Sequence, residues 1–193
     1  MLRSAVVAIA VWAVLAGACV AQSRSSSVTI DQIGSSNSAS VDQSRGAGDV
    51  SLTQTGDDNS ATVRQTGAGY GTALLTQTGS SNTLSLLQEN SFNSMSVDQD
   101  GIGDQAILKQ RTNGVGANTA SLTQTGNGDL ASLTQNGQGN SATQVQIGND
   151  DTQSVSQSGD FNQISYTQIG NNLPDLKVVQ TGNMKMTIVQ TGH

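Results

Sequence analysis

Very few residues of this chain could perform acid–base, nucleophilic or metal chemistry. Among its 193 residues there is one His, His193, and one Cys, Cys19. A zinc site needs several His or Cys ligands, and we do not expect the single, C-terminal His193 to assemble a catalytic triad. The sequence also lacks a P-loop and a Gly-x-Ser-x-Gly motif. We therefore predict that the chain is not an enzyme and has no catalytic residues, no cofactor and no metal site.

Acidic residues are the most numerous charged groups in the sequence, with 14 Asp and Glu against 8 Lys and Arg. Asp57-Asp58 and Asp150-Asp151 could offer oxygen ligands to calcium, but calcium-binding solenoids use a Gly/Asp nonapeptide repeat, which is absent here. We predict solvated turns at both pairs. The net charge of −6, without a stripe of Lys and Arg, excludes nucleic acid as the main partner.

Amide side chains at fixed spacing are the chemistry that the sequence repeats. Gln occupies fifteen regularly spaced positions from 32 to 190, and ten of the fourteen intervals between them are eleven residues long. Gly follows two residues after this Gln in twelve of the fifteen copies. The slot six residues before the next Gln holds Asn seven times, and Asp at positions 104, 129 and 151.

A buried amide needs hydrogen-bond partners, because burying it unpaired costs free energy. Identical amides stacked at the strand spacing of about 4.8 Å provide those partners, since each one bonds the amides above and below. We therefore predict a stacking ladder formed by Gln32, Asn37, Gln43, Gln54, Asn59, Gln65, Gln77, Asn82, Gln88, Asn93, Gln99, Gln110, Asn118, Gln124, Gln135, Asn140, Gln146, Gln157, Asn162, Gln168, Gln180 and Gln190.

The residues between the Asn slot and the next Gln indicate the elements that position these amides. The positions four and two before Gln are apolar in 26 of 28 cases, with Gln144 and Gln153 as the exceptions. A period of two predicts strands with one buried and one wet face. The Gly-x-x-Asn/Asp segment predicts the turn, because Gly accepts positive φ and Asn or Asp tolerates it.

The predicted fold is all-β: a two-sheet β-solenoid of about seven strand-turn-strand rungs, built from half-repeats of about 11 residues. The longer intervals at 65–77 and 110–124 predict insertions in the arcs between strands. Pro174 occupies an Asn slot, which places it at the start of a strand, a position that Pro tolerates.

The N-terminal segment predicts export. Arg3 precedes an uninterrupted run of apolar and small residues at 5–18, which suits the core of a signal peptide. Cleavage after Ala21 would give a secretory signal peptide at 1–21 and a single repeat domain of about 14 strand units at 22–193. Alternatively, the residues that end at Cys19 form a loose lipobox, which would leave Cys19 lipidated.

The repeat resembles the curlin repeat. Residues 32–43 and 54–65 carry Gln-x4-Asn-x5-Gln with Gly after the first Gln and Ala two residues after the Asn, and similar copies occur at 135–146 and 157–168. Curlins are the secreted subunits of curli, the amyloid fibres of bacterial surfaces and biofilms. The resemblance therefore implies a secretion pore in the outer membrane, a periplasmic chaperone and a second curlin-like subunit as partners.

We predict a structural subunit of an extracellular, curli-like amyloid fibre (pilus or fimbrium) at the bacterial surface, for adhesion and biofilm matrix. The chain is its own partner, because uncapped edges with matching Gln and Asn ladders template the next subunit head to tail. Two alternatives stay open: a surface-anchored nucleator of such fibres, and a soluble β-solenoid that binds a ligand. Charge repulsion near the arcs is expected to slow assembly until export, through Asp57, Asp58, Asp104, Asp150, Asp151 and Asp160.

Overall fold

The structure, a computed structural model, describes residues 12–14, 26–44, 48–67, 69–90 and 92–192. Its regular elements are all β-strands, as the alternation of apolar and polar residues predicts. The strands are β1 (Trp12–Val14), β2 (Ser27–Ile33), β3 (Ser38–Ser44), β4 (Gly48–Asp57), β5 (Ser60–Thr66), β6 (Gly71–Ser80), β7 (Thr83–Glu89), β8 (Ser94–Ile102), β9 (Gln105–Arg111), β10 (Thr119–Asn127), β11 (Leu130–Asn136), β12 (Ser141–Asn149), β13 (Thr152–Ser158), β14 (Gln163–Asn171), β15 (Val178–Thr181) and β16 (Lys185–Thr191).

The strands form two parallel eight-stranded sheets, which confirms the two-sheet solenoid. The odd sheet runs in the order β1-β3-β5-β7-β9-β11-β13-β15, and the even sheet runs from β2 to β16 in the same way. Each strand pairs in parallel with the strand one full rung further along the chain. Equivalent slots lie side by side: Gln99 pairs with Gln124, and Gly101 pairs with Gly126.

The hydrophobic core lies between the two sheets and runs along the whole stack. Strands alternate strictly, so that in β9 the residues Ala106, Leu108 and Gln110 are buried while their neighbours are exposed. The largest fully buried side chain is Tyr166 on β14. Aliphatic residues supply most of the rest, so a narrow stack of rungs can bury a core despite an aromatic content of 3%.

Insertions fall in arcs, where they leave the strand pairing intact. The extra residues of the 65–77 and 110–124 intervals lie between β5 and β6 and between β9 and β10. The prediction for Pro174 was wrong. It lies in the connection between β14 and β15, and β15 begins only at Val178. Because Pro fixes φ and donates no backbone hydrogen bond, this strand is reduced to four residues.

Most of the predicted signal peptide, including Cys19, lies outside the described residues. The exception is β1, whose backbone pairs with β3 at the first edge of the odd sheet. Within the part of the chain that the structure describes, no helix is long and apolar enough to cross a membrane.

Candidate functional site

The fold brings the repeated Gln residues together into two continuous ladders. In the even sheet the amide Nε2 of each Gln donates to Oε1 of the Gln one rung further along, and the odd sheet repeats the pattern. Thirteen such bonds occur, at 2.5–3.3 Å. The even ladder runs through Gln32, Gln54, Gln77, Gln99, Gln124, Gln146, Gln168 and Gln190, and the odd ladder through Gln43, Gln65, Gln88, Gln110, Gln135, Gln157 and Gln180.

The second N–H of most ladder amides ties the two sheets together. Gln54 Nε2 donates to the carbonyl oxygen of Ser38 at 3.1 Å, and Gln135 Nε2 donates to that of Thr119 at 3.0 Å. Each acceptor is the first residue of the preceding strand in the opposite sheet. An interior Gln therefore satisfies both its donors and an acceptor, which is why a polar side chain is tolerated with no exposed surface.

The ladders have a direction, and their ends differ chemically. In the first rung Gln32 and Gln43 use Nε2 as donors, and within the described residues their Oε1 atoms receive no donor. In the last rung Gln190 Oε1 accepts from Gln168 and Tyr166, while its Nε2 meets no further Gln. One end thus offers amide acceptors and the other end offers an amide donor.

Asn residues form two shorter columns in the arcs. Asn37 Oδ1 accepts from the backbone N–H of Asn59 at 3.0 Å, and Asn37 Nδ2 donates to the carbonyl oxygen of Gly56 at 2.7 Å. Asn59 and Asn82 repeat these contacts in the same column. The second column, which precedes the even strands, contains Asn93, Asn118, Asn140 and Asn162.

The Gly slot is explained by the close approach of successive rungs. A Cβ atom built on Gly79 would collide with the carbonyl oxygen of Gly101, and the Gly79 φ is 104°. The same carbonyl oxygens accept from the Asn column, as Gly101 does from Asn82 at 3.1 Å. Gly and Asn therefore form one hydrogen-bonded unit that turns the chain between sheets.

Three Asp residues continue the first Asn column. Asp104, Asp129 and Asp151 are fully buried, and Oδ1 of each accepts the backbone N–H one rung further along, from Asp129, Asp151 and Leu173. Their Oδ2 atoms have no partner. The prediction of a solvated turn was therefore wrong for Asp151. In this turn Asp150 is exposed to solvent, whereas Asp151 is buried.

Burial raises the pKa of all three carboxyl groups. For Asp129 the loss of hydration raises the pKa to about 7, opposed by the N–H of Asp151 and assisted by the surrounding negative charge. Loss of hydration also raises the pKa of Asp104 and of Asp151. An exposed arc shows the opposite effect, since hydrogen bonds from Ser35 lower the pKa of Asp57.

The two exceptions to the apolar alternation lie in the core beside Tyr166. Gln144 pairs in register with Tyr166, and Gln153 Nε2 donates to the carbonyl oxygens of Val145 and Tyr166. The Oε1 atoms of both Gln144 and Gln153 are buried without a partner. The sequence marks both positions as irregular and shows Tyr166 in a slot that most other rungs fill with Leu, Val or Ile, but it gives no sign that Gln153 bonds the backbone there.

Comparison with known proteins supports the repeat. Residues 24–56 match the model of the family described as curlin associated repeat, a span that includes β2, β3 and most of β4. No curated protein matches the chain. No group of three or more potential metal-ligating side chains occurs among the described residues. The matched segment contains both the Gln and the Asn contacts described above, and residues 24–56 are thus similar to the curlin associated repeat.

Proposed function

We propose that this chain is a structural subunit of an extracellular, curli-like amyloid fibre that assembles head to tail through its Gln and Asn ladders. The observation that carries the proposal is the direction of the even ladder. Among the described residues Gln32 Oε1 receives no donor, and Gln190 Nε2 donates to the carbonyl oxygen of Pro174 but to no further Gln. The match of residues 24–56 to the curlin associated repeat supports the same role.

Both ends of the even sheet present an open strand edge. Within the described residues β2 pairs only with β4, and β16 pairs only with β14. Placing β16 of one subunit beside β2 of the next would continue the parallel register and give each Gln a partner. Such edges are templates for strand addition.

Export is part of the proposal. Removal of residues 1–21 as a signal peptide would also remove β1, which covers the edge of β3 in the structure. Cleavage would then leave the first strands of both sheets open to another subunit. A secretion pore, a periplasmic chaperone and a second curlin-like subunit are the partners that we propose, with adhesion and biofilm matrix as the role at the cell surface.

The ladder contact can be tested at the two ends of the stack. We expect Gln32→Ala and Gln190→Ala each to slow fibre elongation, since each removes one half of the proposed amide bond between subunits. Thr29→Ala and Thr191→Ala serve as controls, because both Thr side chains are exposed on the same two strands. Elongation is followed by thioflavin fluorescence after dilution from denaturant, with seeds of wild-type fibre.

A slower elongation rate supports the ladder contact only if the variant chain folds, so circular dichroism of each variant is recorded together with the kinetics. A β-rich Gln32→Ala chain that elongates at the wild-type rate would refute the ladder contact. A wild-type chain that stays monomeric and β-rich would refute the fibre itself and favour a soluble solenoid that binds a ligand.

A further inference from the structure

We propose that Asp104, Asp129 and Asp151 form a proton-binding column. Protonated at acidic pH, the column stabilises the rungs that contain it, and this stabilisation is lost as the pH rises. This column is a property of the single folded chain, and it does not depend on fibre formation. Asn occupies the same slot in other rungs of this column and shows which contacts the slot requires.

An Asn in this slot supplies a donor that an ionised Asp lacks. Asn82 Nδ2 donates to the carbonyl oxygen of Gly101 on the next rung at 3.1 Å. At Asp104 the corresponding atom is Oδ2. A Cβ built on Gly101 would collide with the carbonyl oxygen of Gly126 and would lie 3.0 Å from Asp104 Oδ2, so both oxygen atoms border the same point of the arc. Two oxygen atoms that face each other attract only if one carries a proton.

The rung of Asp151 repeats this arrangement. A Cβ on Gly148 would collide with the carbonyl oxygen of Gly170 and lie 2.9 Å from Asp151 Oδ2. Asp129 lies between the two, and all three Oδ2 atoms are buried without a partner while all three Oδ1 atoms are bonded. A proton on each Oδ2 would restore the donor that Asn provides elsewhere in the column.

The charged groups around the column are acidic. Asp100 raises the pKa of Asp104, and Asp150 raises the pKa of Asp129 and of Asp151. On the opposite sheet burial raises the pKa of Tyr166, and the negative charges of Asp175, in the connection to β15, and of Asp151 raise it further.

Basic side chains do not offset these charges. The ion pairs found among the described residues join Arg64 to Asp42, and Lys109 and Arg111 to Glu89. None of them involves the column, so three stacked carboxylates would repel one another at the strand spacing of about 4.8 Å.

The sign of the effect follows from linkage. The folded-state pKa of these groups lies above the value of about 3.9 for Asp in an unfolded chain. The stabilisation is therefore complete below about pH 4 and is lost as the pH rises through the folded-state value, which is about 7 for Asp129. We expect the folded chain to be weakest above neutral pH and to strengthen on acidification.

The test is urea unfolding of the purified chain at low concentration, followed by circular dichroism between pH 5 and pH 8. For the wild type we expect the unfolding equilibrium constant to rise at least about tenfold over this range, which corresponds to ~1.4 kcal/mol. The D104N/D129N/D151N variant should lose this pH dependence and be more stable than the wild type at pH 8, because an amide donates at every pH.

A matched control removes the same number of charges from exposed positions, through D31N/D58N/D160N. This variant should keep the pH dependence of the wild type. Equal pH dependence in the column variant and the wild type would overturn the proposal. Recovery of wild-type stability at pH 8 by calcium, reversed by a chelator, would also overturn it, because the ligand would then be a cation rather than a proton.

A direct titration keeps the proposal testable if the column variant does not fold. Carboxyl ¹³C resonances of the Asp residues in the wild-type chain should include a set that titrates well above the ordinary range of Asp, assigned by the single variant Asp129→Asn. A spectrum in which every Asp titrates near pH 4 would contradict the proton-binding column.

Discussion

At the scale of single residues, an interior ladder Gln makes hydrogen bonds to three partners: the ladder Gln on each neighbouring rung and the backbone of the opposite sheet. Gln99 accepts from Gln77 at 2.8 Å, donates to Gln124 at 3.0 Å and donates to the carbonyl oxygen of Thr83 at 3.3 Å. Its side chain has no exposed surface. Removing such a group leaves its buried partners unsatisfied, and that loss exceeds the modest net gain of making the bonds.

We expect Gln99→Ala to destabilise the chain by about 3–5 kcal/mol, because it opens a cavity and leaves the buried amides of Gln77 and Gln124 and the part-buried carbonyl oxygen of Thr83 each short of a hydrogen bond. Ser96→Ala on the same strand should change stability by less than about 0.5 kcal/mol, because Ser96 is exposed. Urea unfolding measures both. Similar values for the two variants would show that the ladder does not stabilise the fold.

The Gly slot permits a test that separates collision from backbone strain. Gly103 has a φ of 77° and nothing within 4 Å of a Cβ built there, whereas a Cβ on Gly79 would meet the backbone of the next rung. Gly103→Ala should cost about 1–2 kcal/mol, from positive φ alone. Gly79→Ala should cost at least ~2 kcal/mol more, because it overpacks the backbone. Equal costs in urea unfolding would exclude the close approach of rungs as the reason for the Gly slot.

The Gln slot could be predicted from the sequence, whereas the burial of the Asp slot could not. Periodicity placed Gln32 and its equivalents in one slot, and equal slots on parallel rungs must stack. The same periodicity recorded Asp at 104, 129 and 151 without revealing their burial. A carboxylate in a turn is usually solvated, and only the contact with the backbone of neighbouring rungs makes this slot an interior one.

At the scale of the element, strand β12 contains a favourable and an unfavourable Gln two residues apart. Gln146 lies in the even ladder, bonded to Gln124, Gln168 and the carbonyl oxygen of Leu130. Gln144 makes one long bond, 3.4 Å, to the carbonyl oxygen of Ser132, and its Oε1 is buried and unpaired. The slot within the strand, rather than the residue type, decides whether an amide stabilises the fold.

We therefore expect the same substitution to have opposite signs at these two positions. Gln144→Leu should stabilise the chain by about 1 kcal/mol, because it removes an unpaired buried acceptor. Gln146→Leu should destabilise it by at least about 3 kcal/mol, because it interrupts a complete ladder. Thermal and urea unfolding give both values. A destabilising Gln144→Leu would mean that a water or another group satisfies its Oε1.

The strand pattern itself was predictable, because alternation needs only local sequence. The residues at which β15 begins and ends could not be predicted in this way. Pro174 keeps the spacing of an Asn slot, yet the chain from 173 to 177 forms an irregular connection. Tyr166 reaches into this region and its hydroxyl accepts the backbone N–H of Leu176 at 3.2 Å. That contact joins two elements, so no local pattern reveals it.

At the scale of the whole molecule, the number of strands sets the repeat of the proposed fibre. The even sheet contributes eight strands, from β2 to β16, and the odd sheet contributes seven once β1 is removed with the proposed signal peptide. Stacking β16 against β2 of the next subunit then leaves one vacant strand position in the odd sheet at each junction. In the structure β1 occupies that position, beside β3.

The axial repeat of a subunit should therefore be eight strand spacings, about 38 Å, rather than seven, about 34 Å. Cryo-electron microscopy of the fibres measures this repeat from the averaged density. A repeat of seven spacings would show that β2 or β16 lies outside the stack and that the even ladder is not continuous across subunits.

X-ray diffraction from aligned fibres tests most directly whether the even sheets of successive subunits stack into one continuous sheet along the fibre. The purified chain is diluted from denaturant without seeds, and the fibres are dried in one orientation. Continuous stacking predicts a reflection near 4.7–4.8 Å along the fibre axis and one near 10 Å across it. Fibres with the 4.7–4.8 Å reflection perpendicular to the axis, or a chain that remains a β-rich monomer, would contradict it.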